Sequence, residues 1–579
     1  MKLRAWLSSL PRGVAAWVRS RPGALVTATS ALKDRVVARP IDAFSAVAAI
    51  VVSVVVVMWP LFSARYPPMT DLPMHAAQTS AFRHWFDASY HFRDQFELQP
   101  LAVPYDASYV LGALLMLVFG AVTAVKLATG IMLLFLPLGL AVLSWGMRKS
   151  PLGGLLGLPF VWCDLTHWGF INFVSALGQF ALVVGLALRA VDKPSRRTSI
   201  ALGASLVLLF FTHVFRFPFA IAAVVGAAIV AWPATRRMRP ILLPLVPSLA
   251  LFALFYLRRT DALGGAMGPL TLDWKRLAEI PKTLVNGFND PKEMEAAWTF
   301  AKLLGAVEIL AVVAWLASIV AAFVRARRGA PAAAPVAAAA STAEDTTWRA
   351  RLDRHFTWLV TLVPLASAAV FFYLFLTLPI QIGIWWYVYP REVVAAGFVL
   401  LGALPGLPKN SVLKLACVSA ISVGSLGFAA VSASGYAAFG AATEDFYRIQ
   451  SKLPRAPKLL YLIRDHSGST RTGAPFLHLP AWIQAEKGGW LSFHFAVWGA
   501  SPLKFRTDDR AVVPPPVPLR WEWTPDRFEV RTHGAFFDWF LVRQASSPDA
   551  LFRDDATIVR VAHEGMWWLY KRDLTPVAR

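Results

Sequence analysis

Charge is the first thing this sequence lacks. Only 16% of its 579 residues are Asp, Glu, Lys or Arg, against 56% hydrophobic, and the mean hydropathy is +0.51. That balance excludes a soluble enzyme, since many windows exceed the ~18 apolar residues that mark a membrane span. Cysteine is also scarce: Cys163 and Cys417 both lie in apolar segments, which excludes a disulfide framework and a thiolate metal motif. No Asn-x-Ser/Thr acceptor, internal repeat or Walker-type loop occurs, and the last absence disfavours an ATP-driven pump. Acids are outnumbered 35 to 57 by Lys and Arg, for a net charge of +22. The cations fall in short clusters between apolar runs, the pattern of the positive-inside rule, so the chain reads as a membrane protein with no nucleic-acid partner.

What is present is a series of apolar runs punctuated by those clusters. Residues 1–41 carry eight cations and read as a cytoplasmic tail, and 42–437 read as a transmembrane domain. Eleven spans are expected, at 42–63, 125–147, 151–165, 170–190, 198–212, 217–233, 240–257, 298–324, 356–378, 392–406 and 412–436. The first is an uncleaved span rather than a signal peptide. This arrangement puts the N-terminus inside, the C-terminus outside, and loops 64–124 and 258–297 on the external face. An apolar stretch at 107–119 lies on the outer leaflet, because counting it as a span would invert every later basic cluster. The Ala/Pro-rich 329–347 is a flexible cytoplasmic linker.

From residue 438 the texture changes. Strand-like runs at 458–463, 537–543, 558–562 and 567–570 alternate with Pro- and Gly-rich turns, which predicts an extracytoplasmic mixed α/β domain over 438–579. The fold class is therefore a polytopic α-helical membrane protein with a C-terminal extracytoplasmic α/β domain, placed in the cell membrane and in contact with its lipids.

On this topology the unusual polar residues converge at the external boundary. Asp71 and His75 follow the first span, Asp164 and His167 end the third, and Asn172 opens the fourth. His213 and Arg216 sit at the turn between the fifth and sixth, and Arg391 and Glu392 open the tenth. Ionisable groups at a bilayer edge face a cavity or a partner, because exposure to hydrocarbon is unfavourable. Asp71 and His75, four apart, share one helical face, the geometry of a metal-ligand pair or of an acid/base with its partner. Two readings of Asp71 stay open, since Thr70 or Asp71 could equally cap the helix that Pro73 opens. Arg216 and Arg391 suit either snorkelling or a phosphate.

The segment Thr70-Asp71-Leu72-Pro73-Met74-His75 stands where the GT-C superfamily of membrane glycosyltransferases carries an acidic motif. Together with Gly169–Phe173, Thr212–Phe215, Phe537–Arg543 and Glu564–Tyr570, it makes the chain resemble that superfamily, whose members include oligosaccharyltransferases, protein mannosyltransferases and aminoarabinose transferases. The resemblance is one of whole-chain architecture with short motifs. Two features differ: Asp71 is followed by Leu72 where many members have a second acid, and the Trp-Trp-Asp motif is absent. The resemblance implies a glycosyltransferase that takes a sugar from a polyprenyl-phosphate donor to an envelope acceptor outside the membrane. By implication Asp71 is the general base, or the ligand of a divalent cation (Mg or Mn), with His75, Asp164 and His167 assisting. Asn172, His213, Arg216, Arg391 and Glu392 would bind substrate. Alternatives are a polysaccharide polymerase or ligase, and a lipid or saccharide transporter.

Overall fold

The computed structural model describes residues 40–99, 104–258, 270–284, 355–468, 473–498, 501–518 and 520–573, with scattered positions from 295 to 353. The basic tail up to residue 39, most of loop 258–297, part of the span at 298–324 and the linker lie outside the described residues. Among those described, seven helices are long and apolar enough to cross a membrane: Pro40–Phe62, Ala121–Gly146, Ile171–Asp192, Phe217–Thr235, Arg239–Arg258, Phe356–Thr377 and Ser411–Ala442. The chain is a polytopic helical membrane protein with a sheet-bearing C-terminal region.

Three of the expected spans are differently built or bounded. The segment expected at 151–165 is a 3-10 helix, Pro151–Trp162, containing Pro159. At ~2.0 Å per residue its twelve residues reach roughly 24 Å, where an α-helix of that length would reach about 18 Å. The helix expected at 198–212 begins two residues earlier, as Arg196–Thr212 with 17 residues. The helix expected at 392–406 begins earlier, as Val388–Leu400, so Arg391 and Glu392 sit at its fourth and fifth positions rather than at its opening.

Ile171–Asp192 is the axis of the bundle, buried along its whole apolar length. Its closest neighbour is Phe135–Gly146, and glycines make the approach possible. A Cβ on Gly139 would overlap the Gly178 carbonyl, and one on Gly146 would overlap that of Gly185. The two pairs are seven residues apart on each helix, two turns along one seam, so backbone packs directly on backbone. Polar groups sort to opposite ends of this axis. At one end Arg148 bonds Asp192 at 2.5 Å and Asp353 at 2.7 Å, Arg237 donates to the Asp192 carbonyl at 2.7 Å, and Lys149 donates to Gly402 and Leu404 carbonyls at 2.9 and 2.7 Å. At the other end, roughly 33 Å away for 22 helical residues, stands Asn172.

The C-terminal region holds a five-stranded sheet in the order Trp490–Leu491, Lys458–Ile463, Trp539–Arg543, Trp567–Arg572, Ile558–Glu564. The first three are parallel and the last two antiparallel to their neighbours. The four runs visible in the sequence are all strands. The fifth strand is two residues long and leaves no periodic signal.

The first loop and this tail are woven together. Strand Phe96–Leu98 pairs antiparallel with Leu503–Phe505. Helix Ala481–Lys487 packs on helix Leu72–Arg83. Tyr66, just past the first span, donates to Glu486 at 2.8 Å while its ring lies against Phe446 and Trp482. The tail is thereby fastened to the segment that carries Asp71.

The glycine seam yields a prediction. Gly178→Val forces the two helices apart at their point of contact, an overpacking penalty of about 1–3 kcal/mol or more. Purified Gly178→Val should melt several degrees below the wild type in detergent, whereas an unchanged melting temperature would show that the seam does not set the packing.

Candidate active site

Asp71 is placed by backbone rather than by its side chain. Gly169 turns left-handed at φ +90°, and the chain on either side of that turn meets the Asp71 segment. Thr70 and Asp71 donate their N–H groups to the carbonyls of His167 and Trp168, each at 3.0 Å. A Cβ on Gly169 would sit 2.9 Å from the Asp71 nitrogen, so only glycine fits. Asp71 precedes helix Leu72–Arg83 with φ −92° and ψ −11°, already helical, and its carboxylate makes no capping bond. A cap residue needs extended backbone to fold its side chain onto the following N–H groups. The capping reading therefore fails, and the carboxylate is left to face a cavity.

That cavity has a volume of about 670 Å³. The membrane part supplies Asp71, His75, Asn172, His213 and Arg391 from the sequence reading, joined by Tyr105, Tyr109, Trp385 and Tyr387. The tail supplies His478, Phe495, Arg520, Glu522 and Trp523. Asp71 Oδ1 lies 3.6 Å from His478 Nε2, with the two side chains 18% and 5% exposed. His75 does not face Asp71: its Nδ1 lies 2.8 Å from the Tyr109 hydroxyl.

Arg391 is the cation that the membrane part gives the cavity. Its Nε and Nη2 donate to the Tyr387 and Trp386 carbonyls at 3.1 and 2.9 Å, and the guanidinium lies 4.1 Å over the Phe170 ring. Two of its five donors are used, no carboxylate pairs with it among the described residues, and the rest remain for a ligand. Nearby, Asn172 Oδ1, His213 Nδ1 and the Tyr105 hydroxyl are buried without a partner among the described residues. Buried polar atoms are normally satisfied, so such a group marks where a ligand would bond.

Asp164, His167, Arg216 and Glu392 do not line the cavity. Asp164 accepts a 2.5 Å bond from Tyr387, the residue whose carbonyl holds Arg391. His167 stacks on Trp162 and approaches the Tyr436 hydroxyl at 3.4 Å. Arg216 forms a buried ion pair with Glu392 under the Phe173 and Phe371 rings. These four support the wall; they do not face what the cavity holds.

His478 and the 520–524 segment were not picked out from sequence. The visible signal for His478 is an imidazole in the apolar run Ala474–Pro480, flanked by prolines. Its ring stacks on Phe493, 5.5 Å between centroids, and its loop is held by Arg543, which lies over Phe476 at 3.6 Å and bonds Asp465 at 3.0 Å.

Burial pushes the Asp71 carboxyl up to about 7, with Glu522 adding to the rise and Arg391 opposing it. Burial likewise pushes His478 down to about 3, helped by His466 and His75, so the imidazole is neutral at working pH. A carboxyl that titrates near neutrality beside a neutral imidazole can exchange a proton with a hydroxyl. The donor set does not fit a divalent cation by itself. Asp71 has one imidazole and no second carboxylate beside it, and no three His, Cys, Asp or Glu converge among the described residues.

The helical bundle with its sheet-bearing tail has a fold already seen in solved structures. Two solved structures carry the comparison. ArnT from Cupriavidus metallidurans bound to undecaprenyl phosphate matches at a TM-score of 0.51 and 13% identity, over 92% of this chain and 98% of that one. The same protein in the apo state matches at 0.50 and 14%, over 91% and 97%. No protein-family model and no curated protein matches the chain. At this identity the likeness is one of fold.

The raised Asp71 carboxyl carries a stability consequence. Its folded value lies above the ordinary 3.8, so its contribution to stability is complete below about 3.8 and is lost as pH rises through about 7. Asp71→Asn removes that penalty, on the order of 1–3 kcal/mol once cavity water screens the charge. The variant should melt higher than the wild type at pH 8 and level with it near pH 4. A variant that melts lower at pH 8 would contradict the placement of the carboxylate.

Proposed function

We propose that this chain is a glycosyltransferase that moves a sugar from a polyprenyl-phosphate donor to an acceptor hydroxyl on the external side of the membrane. The observation that carries the reading is one cavity holding a carboxylate that titrates near neutrality and an arginine with free donors, in a chain with the fold of a protein crystallised with undecaprenyl phosphate. The cavity lies at the opposite end of the central helix from the Arg148–Arg237 cluster, so the positive-inside rule puts it outside.

In this reading Arg391 holds the donor phosphate through its remaining N–H groups, where a guanidinium fork suits phosphate oxygens. Asn172, His213 and Tyr105 bond the donor sugar's hydroxyls. The acceptor oxygen attacks the anomeric carbon as its proton passes to Asp71. The bond from that carbon to the phosphate oxygen breaks, and the electron pair leaves with polyprenyl phosphate, whose new charge Arg391 offsets. An N–H on His478 Nε2, 3.6 Å from Asp71 Oδ1, favours the ionised state of Asp71 electrostatically and aims it.

The test is transfer from a radiolabelled polyprenyl-phosphate sugar by the purified chain, with membrane extract supplying acceptors. Asp71→Asn should lose about 10²–10⁴-fold in rate, and full activity in that variant would overturn the reading. The base must be ionised, so kcat/KM should rise with pH through about 7 and level off above. His478→Phe should move that limb to higher pH, while His478→Gln, which keeps an N–H donor, should restore it. Arg391→Lys keeps the charge but loses the fork, so it should raise the donor KM about tenfold with a smaller change in kcat.

A further inference from the structure

The tail's contribution to the cavity wall has a composition of its own. Trp521 is an anchor, 1% exposed, with its ring set edge-on to Phe528 at 6.1 Å and His533 at 5.0 Å. Around it the backbone is tied to itself and to the loop below. Trp523 and Thr524 donate their N–H groups to the Arg520 carbonyl at 3.0 and 3.1 Å, and His466 Nε2 lies 3.0 Å from the Glu522 carbonyl. Arg520 holds a left-handed φ of +60° to begin the turn. On this fixed frame Trp523 stands 42% exposed at the cavity. Glu522 is 7% exposed, and its Oε2 has no partner among the described residues.

Arg391 and the Arg520–Thr524 segment line the same cavity as Asp71, the first from the membrane part and the second from the tail. Beside Asp71 the cavity therefore has a phosphate-suited side from the membrane part and a tail side formed by an indole, a carboxylate and a guanidinium.

We infer that Arg520–Thr524 is the acceptor subsite and that its ligand is a carbohydrate, whose ring stacks on Trp523 and whose hydroxyls bond Glu522 and Arg520. A pyranose presents a face of C–H groups and an edge of hydroxyls, and this wall offers one surface for each. A hydrocarbon chain would leave the buried carboxylate unmatched. An extended peptide needs a row of free main-chain groups, which this turn has already bonded internally. The assignment rests on Asp71 being the base, since it places the acceptor hydroxyl beside that carboxylate.

Saturation-transfer NMR tests it on the purified full chain in nanodiscs, without donor, using methyl glycosides of neutral hexoses and of N-acetylhexosamines as probes. At least one glycoside should bind. Trp523→Ala should weaken that binding about tenfold, as expected for loss of a stacking contact, Trp523→Phe should recover most of it, and Glu522→Gln should weaken it severalfold. Trp523 is exposed, so these variants keep the Trp521 anchor, and equal melting temperatures check this. Asp71→Asn should bind the glycoside as well as the wild type, which separates this test from the transfer assay. The assignment is overturned if no glycoside binds, if binding survives Trp523→Ala, if it is lost in Asn172→Ala instead, or if a serine-containing peptide gives the signal in place of the sugars.

Discussion

The site depends on two backbone hydrogen bonds, from Thr70 and Asp71 to the carbonyls of His167 and Trp168. They fix the start of helix Leu72–Arg83 against the turn that opens the central helix, and Gly169 is the residue that lets the two chains approach so closely. Because Asp71 is held through its main chain, its carboxylate owes nothing to the local structure and is free for chemistry. A capping aspartate in the same place would have its carboxylate committed to the helix N–H groups, which hold it ionised at a lowered pKa and leave it a weak base.

The second dependence is on the tail. The partner of Asp71 is His478, which lies beyond the last span and arrives only because the sheet-bearing region is stapled to the first loop by a shared pair of strands, by helix Ala481–Lys487 and by Tyr66. The cavity is thus shared between parts separated by some four hundred residues of chain. Placing an acid with raised pKa there is unfavourable for folding, and the extensive packing of the tail on helix Leu72–Arg83 is what holds it in place.

Much of the bundle was legible because apolar length and basic clusters are strong signals: the residues read as inner helix ends, Arg148, Lys149 and Arg237, do meet at one end of the bundle. The segment at 151–165 was misread because hydropathy cannot tell an α-helix from a 3-10 helix of the same composition, and the glycines and Pro159 that decide it act through packing. In the site, Asp71, His75, Asn172, His213 and Arg391 were found from position alone, as polar groups at one boundary. Arg216 and Glu392 satisfied the same criterion yet pair with each other, since sequence cannot show which charges neutralise one another. His478 and Glu522 were missed for a related reason. In a soluble-looking tail a histidine or glutamate is unremarkable, and only the fold reveals that both are buried with a polar atom unmatched.

The central claim is that the cavity beside Asp71 receives a lipid phosphate. Native mass spectrometry of the purified chain titrated with undecaprenyl phosphate measures this most directly. One lipid should bind per chain, Arg391→Ala should weaken that adduct at least tenfold, and Asp71→Asn should keep it. Binding that is absent, or that ignores Arg391→Ala, would contradict the account.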